Sequence, residues 1–361
     1  MRGGEKVLEE ILALYPGADV FTLVYHRDRV SEAIRARKVT ASWIDRLPFS
    51  RNRHQVYLPL FPAAIGSLDL GGYDLVISTS HCVAKGAIAP VGVPHVCYCH
   101  TPMRYIWDFR QVYFGHIKPA PVKWMVDVAL EGLRLWDVAT AGRVDHWVAN
   151  SATVARRIQR YYGRTVAVIH PPVDVEQFTP VERPSLDYFV VLSAFVPYKR
   201  LDLAVDAANR LGARLKIVGD GADAPALKRR AGPTVEFVGR AGPGRLRELL
   251  GNARALLFPG EEDFGITPLE SNACGRPVVA YRAGGATESQ VDGVTARFFD
   301  VQSVDALCDA MRAVERMDVD AARLHAHARS FSRERFRAEF AHWMDERLGT
   351  PAAGLARAEV R

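Results

Sequence analysis

The chain has 361 residues, 48% of them hydrophobic and 24% charged. That is enough apolar mass for large buried cores, it excludes a disordered chain, and at ~150 residues per domain it gives room for two. A formal net charge of +6 carried without a low-complexity basic tail reads as a solvated surface, not a nucleic-acid-binding one, and no apolar run approaches the ~20 residues that span a bilayer.

Along the chain, Val7, Leu8, Ile11, Leu12 and Leu14 in "MRGGEKVLEEILALYPG" repeat at helical spacing and predict a helix from about Glu5, stopped by Pro16-Gly17, with a strand over 20–25 behind it. In a doubly wound domain a strand leads into a glycine turn and its helix. Gly3 and Gly4 have nothing before them, so the expectation is a missing first strand, with Met1 an internal methionine or a misassigned start. Residues 41–70 mix Trp43, Ile44, Leu47, Phe49, Tyr57, Leu58, Leu60 and Phe61 with Arg46, Arg51, Arg53 and His54. Two readings stay open there: a surface for an anionic bilayer, or a core-facing helix pair with solvated arginines.

From "YDLVISTS" onward short apolar strands alternate with helical stretches: "PHVCYCH", "DHWVANS", "TVAVIHPP", "DYFVVLSA", "RLKIVGDG", "VEFVGR", "ARALLFPG" and "RPVVAY". The alternation predicts an α/β protein of parallel sheets with helices on both faces and ligand loops at the strand ends. In "HVCYCH" the period of two sends Cys97 and Cys99 to one face of a strand, so His95, His100 and the cysteines are not expected to hold a metal. With Cys82, Cys274 and Cys308 they form no paired framework, which fits a reduced, cytosolic compartment. The Pro-rich, acidic stretch at 170–187 reads as an interdomain connection. The expected domains are 1–180, 181–330 and a C-terminal segment 331–361, whose helix carries Phe331, Phe336, Phe340 and Trp343 on one side before a frayed tail.

The richest run is "FPGEEDFGITPLESNACGRPVVAYRAGGATE", 258–288. Phe258-Pro259 end a strand, Gly265 breaks the loop, and a helix follows with Thr267 suited to its cap and Pro268 to its first turn. Backbone N–H groups at such a helix end suit a diphosphate. Taken singly, Glu270 is a first-turn glutamate favouring the helix dipole and Glu262 a solvated loop acid; with the glycine loop between them, the pair reads as carboxylates reaching around a bound anion.

Glu262 and Glu270, eight apart, look like the E-x7-E signature of retaining glycosyltransferases of the GT-B class. "RGGEKVLE", "HTPMRYIWD", "VANSATVARRI", "VIHPPVDVEQF", "VPYKRLDLAVDA", "IVGDG" and "GGATE" also resemble the bacterial polysaccharide mannosyltransferase branch, over nearly the whole chain. The resemblance implies two Rossmann-like domains facing across a cleft, an acceptor-binding N-terminal one and a nucleotide-sugar-binding C-terminal one. It assigns Glu270 to the nucleotide ribose, Glu262 to a donor-hexose hydroxyl, Phe264, Gly265 and Ile266 to the phosphates, and Lys199 to the leaving diphosphate. Gly219 and Asp220 fall on the nucleotide side, with Arg240 toward the base, Gly3 and Gly4 beside the phosphates, and His100 at the sugar or acceptor. The class usually carries an arginine five residues before the lysine, where this chain has Ala194; Arg200 is then the candidate for a second positive charge.

The reading that results is a cytoplasmic, peripherally membrane-associated retaining glycosyltransferase. It moves a hexose, with mannose from GDP-mannose as the favoured donor, onto a polysaccharide or lipid-linked acceptor, with neither metal nor other cofactor. Its rivals are a nucleotide-sugar epimerase or glycan phosphorylase on the same architecture, and a truncated non-catalytic nucleotide-sugar-binding protein.

Overall fold

The computed structural model describes residues 3–115 and 117–349; Met1 and the tail beyond Gly349 lie outside the described residues. The chain forms two compact units, residues 1–171 together with 336–361, and residues 172–335.

The first unit opens on the helix Gly3–Leu14, which starts at the glycine pair and not at Glu5, and buries Val7, Ile11 and Leu12. Strand β1 (Val20–Thr22) pairs in parallel with β2 (Val39–Ala41) as a two-stranded sheet of its own. Strands β3 (Val76–Ser80), β4 (His95–Cys99), β5 (His146–Ala149) and β6 (Ala167–Val168) form a second, all-parallel sheet in that order. Every residue of β4 is buried, as expected of a central parallel strand covered on both faces. The His95 ring lies between Ser78 Oγ at 2.9 Å and the Arg143 carbonyl at 3.1 Å, which ties β4 to its neighbours. The helix Arg333–Leu348 completes this core: Phe336, Phe340, Trp343 and Met344 cluster with Val7, Ile11, Tyr98 and Val148. Truncating a buried phenylalanine of this kind costs ~3–5 kcal/mol. Phe331, on the same expected apolar side, belongs to the core of the other unit.

Beneath the turn Ala84–Gly86 lies a buried ion pair. Lys85 and Asp137 are about as inaccessible as the core aliphatics, with Nζ and Oδ1 3.0 Å apart, and the other carboxylate oxygen accepts from Trp107 Nε1 at 2.8 Å and Tyr162 Oη at 2.7 Å. Three donors around one carboxylate are what makes such a burial tolerable.

The second unit is one six-stranded parallel sheet in the order β12-β11-β10-β7-β8-β9, where β7 is Phe189–Leu192, β8 Leu215–Val218, β9 Val235–Gly239, β10 Leu256–Phe258, β11 Val278–Tyr281 and β12 Ala296–Phe299. From β7 the chain moves outward through β8 and β9, then returns to place β10 on the other side of β7. The border between β7 and β10 is therefore a topological switch point, where loops leaving the strand ends part and a crevice opens. Two apolar clusters cover the faces of the sheet. Among the described residues no helix is long and apolar enough to cross a membrane.

Candidate active site

Lys199 and Glu262 stand at the switch point. After β7 the chain turns through the short helical turn Pro197–Lys199; after β10 it runs Pro259-Gly260-Glu261-Glu262. The Lys199 ammonium forms an ion pair with the Glu262 carboxylate, with both side chains partly open to solvent, and lies 5.3 Å from the centre of the Tyr198 ring.

Glycines bring these loops to backbone contact. A Cβ on Gly260 would stand 2.7 Å from Lys199 Cα, one on Gly284 2.2 Å from the Glu262 carbonyl oxygen, and one on Gly285 2.1 Å from Phe264 Cα. The Gly285 N–H donates to the Glu262 carbonyl at 2.9 Å. The loops leaving β7, β10 and β11 are thus fastened around the ion pair.

Gly265, with φ +83°, caps the helix Ile266–Ala273. This corrects the expected cap at Thr267: the left-handed turn of Gly265, whose Cβ would meet the Phe258 ring at 2.8 Å, starts the helix two residues earlier and moves Thr267 and Pro268 inside it. Glu270 lies one turn in and is 8% exposed. The N–H groups of the first turn have no acceptor within the helix.

On the other side of β7, Gly219 adopts φ +133°, and a Cβ there would meet the Ser193 carbonyl oxygen at 1.9 Å. Its N–H donates to the Gly239 carbonyl at 2.8 Å. Asp220 accepts from the Gly221 N–H at 2.8 Å and pairs at 3.7 Å with Arg240, which is largely exposed. Arg200 is engaged elsewhere: its guanidinium meets both oxygens of Asp202 at 3.1 Å, on its own helix.

In the first unit His100 follows β4, its N–H donating to the Ser80 carbonyl at 2.8 Å. The residue is half-buried, and its Nε2 is shut off from solvent and has no hydrogen-bond partner among the described residues. Burial, with a smaller contribution from His81, pushes its pKa down to about 3, so the imidazole is neutral near pH 7 and offers one donor and one acceptor. Gly4, at the start of the Gly3–Leu14 helix, faces it: a Cβ on Gly4 would stand 3.2 Å from Nε2. Gly4 and His100 are brought together within this unit, and Lys199 and Glu262 within the other, where Phe264 is held against Gly285; Ile266 and Glu270 lie on the helix that Gly265 caps. Among the described residues no group of three or more His, Cys, Asp or Glu side chains could hold a metal ion.

Sequence reasoning assigned no role to Gly260, Gly284 or Gly285, although "FPGEED" and "GGATE" were conspicuous. Their signal was a glycine just past each of two strands, which marks close backbone approach but does not tell what approaches.

Residues 175–331 match the model for Glycosyl transferases group 1, and residues 1–177 that for Glycosyltransferase Family 4. The chain carries both domains of a GT-B glycosyltransferase. In Acidothermus cellulolyticus, a D-inositol 3-phosphate glycosyltransferase is 29% identical over 334 residues, covering 78% of this chain and 70% of that protein. A GDP-mannose-dependent alpha-(1-6)-phosphatidylinositol monomannoside mannosyltransferase of Mycolicibacterium smegmatis is 32% identical over 203 residues, or 45% of this chain and 53% of that one. The crystal structure of Anabaena HepE in complex with UDP superposes with a TM-score of 0.70 at 16% identity, over 96% of each chain.

Proposed function

We propose that this protein is a retaining glycosyltransferase that takes a hexose from a nucleotide sugar, with mannose from GDP-mannose as the favoured donor, and transfers it to a polysaccharide or lipid-linked glycan at the cytoplasmic face of an anionic membrane. The observation that carries the reading is the Lys199–Glu262 pair at the β7/β10 switch point, beside the first turn of the Ile266–Ala273 helix. In the free protein the carboxylate neutralises the ammonium. An arriving diphosphate takes over the ammonium, and the helix N–H groups share its charge. Glu262 is then released to accept from a hydroxyl of the donor sugar, while Glu270 accepts from the ribose. As the glycosidic bond opens, negative charge grows on the diphosphate where Lys199 already stands, which lowers the barrier without rearrangement. His100, neutral and with Nε2 unpartnered, contacts sugar by hydrogen bonding and takes no part as a nucleophile. The acceptor hydroxyl loses its proton to the departing phosphate. The mannosyltransferase of M. smegmatis supports the choice of donor, and the UDP bound to HepE supports a nucleotide-sugar donor in general.

The experiment is a thermal-shift panel of GDP, UDP and ADP sugars, in which selective binding raises the melting temperature by mass action, followed by donor affinity and turnover for two variants. Glu270→Ala is expected to weaken donor binding and Glu262→Ala mainly to slow transfer. Wild-type affinity and turnover in both variants would remove the two carboxylates from the mechanism.

A further inference from the structure

The helix Ala120–Thr140 in the first unit has opposite surroundings on its two sides but similar chemistry. Leu130, Leu133, Asp137 and Thr140 turn inward. At about 100° per residue, Trp124, Val128 and Leu135 fall together on the side opposite these, and they are 67%, 52% and 73% exposed; Pro121, Gly132 and Ala139 lie near the same line, with Met125 and Val138 at its margins. A surface helix of a globular protein normally places charge there. Glu131 is the one acid near that line, and Arg110 and Arg134 both pair with it. Next to the helix lies a second apolar patch: Phe49, Val56 and Leu60 are exposed, while Tyr57 and Leu58 from the same turns pack in one cluster with Val126, Leu130 and Leu133. Those turns pack on the inward side of the helix, so the outward stripe, on a helix about 30 Å long, is a surface of its own.

Charge decides between occupants. Over 110–138 the cations Arg110, Lys118, Lys123 and Arg134 face two surface acids, Asp127 and Glu131, an excess of two, since Asp137 is buried on Lys85. Over 43–60, Arg46, Arg51 and Arg53 stand against Asp45, again an excess of two. A second copy of this chain meeting the face by two-fold symmetry would oppose the positive patch with itself, whereas anionic headgroups complement it.

We propose that the outer side of the Ala120–Thr140 helix docks on an anionic bilayer. Trp124, Val128 and Leu135 enter the boundary between headgroups and acyl chains, with the cations above them on lipid phosphate. The inference rests on the lipid-linked acceptor reading for its purpose alone, because the test involves neither donor nor acceptor.

The full chain is sedimented with vesicles of phosphatidylcholine, alone or with about 30% phosphatidylglycerol, at about 50 and about 500 mM salt, and its mass in solution is measured by light scattering. Binding is expected on the anionic vesicles at low salt, falling as salt rises. Partition of the double variant Trp124→Ser/Leu135→Ser should be weaker by about tenfold or more, with an unchanged thermal melt because both side chains face solvent. Absence of the wild type from anionic pellets at low salt overturns the proposal, as does equal partition of the double variant. A dimer in light scattering that the double variant dissociates, without vesicle binding, assigns the face to a second copy and overturns it too. Donor-dependent melting shifts are read separately, so failure here is distinguishable from failure of the transfer reading.

Discussion

Alanine at Gly285 puts a methyl group 2.1 Å from Phe264 Cα and 2.4 Å from its carbonyl oxygen, where ordinary contact begins at 3.4 Å. Both are main-chain atoms and cannot swing aside, so the loop bearing Glu262 and Phe264 must retreat by about 1 Å from a densely packed neighbour. Overpacking of this sort costs ~1–3 kcal/mol, and stretching the Gly285 N–H bond to the Glu262 carbonyl, 2.9 Å long in the native loop, adds about 1 kcal/mol. A total of ~2–4 kcal/mol corresponds to a fall in Tm of about 4–16 °C for a unit of this size. The larger consequence is chemical: a shift of about 1 Å between Glu262 and the sugar it is proposed to hold lowers turnover by about 100-fold. Gly285→Ala is compared with Gly244→Ala, a helix glycine with nothing within 4 Å of its added methyl, which should raise stability by ~0.5–1 kcal/mol and leave turnover alone. Donor turnover measured below the Tm of both variants tests the chain of reasoning. If folded Gly285→Ala turns over within about twofold of wild type, the loop contact does not position the reacting carboxylate.

Two further outcomes follow from buried polar groups in the first unit. Burial lowers the pKa of His95 to about 4 and that of His100 to about 3, below the ordinary 6.5 that both regain on unfolding; the unfolded chain therefore binds more protons between these values, and stability falls as pH drops from about 6.5 toward 4, by ~1.4 kcal/mol per unit for each histidine. Denaturant titrations at about pH 7.5, 6 and 5 measure it, with His100→Gln expected to remove about half the slope and a flat profile refuting the assignment. Lys85→Met leaves the Asp137 carboxylate buried without its cation and should cost ~3–5 kcal/mol, most of it recovered when Asp137→Asn is added; urea melts of the single and double variants decide, and equal loss in both would mean that packing, not charge, is at stake.

Five strands of the six-stranded sheet were legible because "DYFVVLSA", "RLKIVGDG", "VEFVGR", "ARALLFPG" and "RPVVAY" are short apolar runs bounded by glycine, proline or charge. Strands β2 and β12 escaped notice: Val39–Ala41 is three residues long, and "ARFF" opens with a residue pair that suits a helix as well. The carboxylates, the lysine and the histidine could be named from motifs, since a strand end followed by glycine and a helix cap is a local pattern. That Lys199 meets Glu262 was not legible, because strand order and not chain order makes β7 the neighbour of β10. Residues 41–70 resisted for another reason. Ile44 is fully buried and Phe49 is 75% exposed, so the segment is neither wholly core nor wholly surface, and short irregular turns give no period by which to sort its side chains. The longer apolar stripe at 120–140 went unseen because a helix that is apolar on both sides looks, in sequence, like an ordinary buried one.

The first unit is assembled from the two extremes of the chain. Tyr98 and Val148 leave the ribosome early, yet the rings that cover them, Phe336 and Phe340, follow about 190 residues behind Val148, an interval of about 10–40 s at usual rates of synthesis. Throughout that time the half-made sheet waits with one flank of its core open, while residues 172–335 have all their own partners and can close first. The nascent chain thus matures in an order opposite to its numbering, and its aggregation-prone interval is the making of residues 172–335. A ribosome that stalls short of Phe336 would release a product whose later-made unit is finished and whose earlier-made one is not.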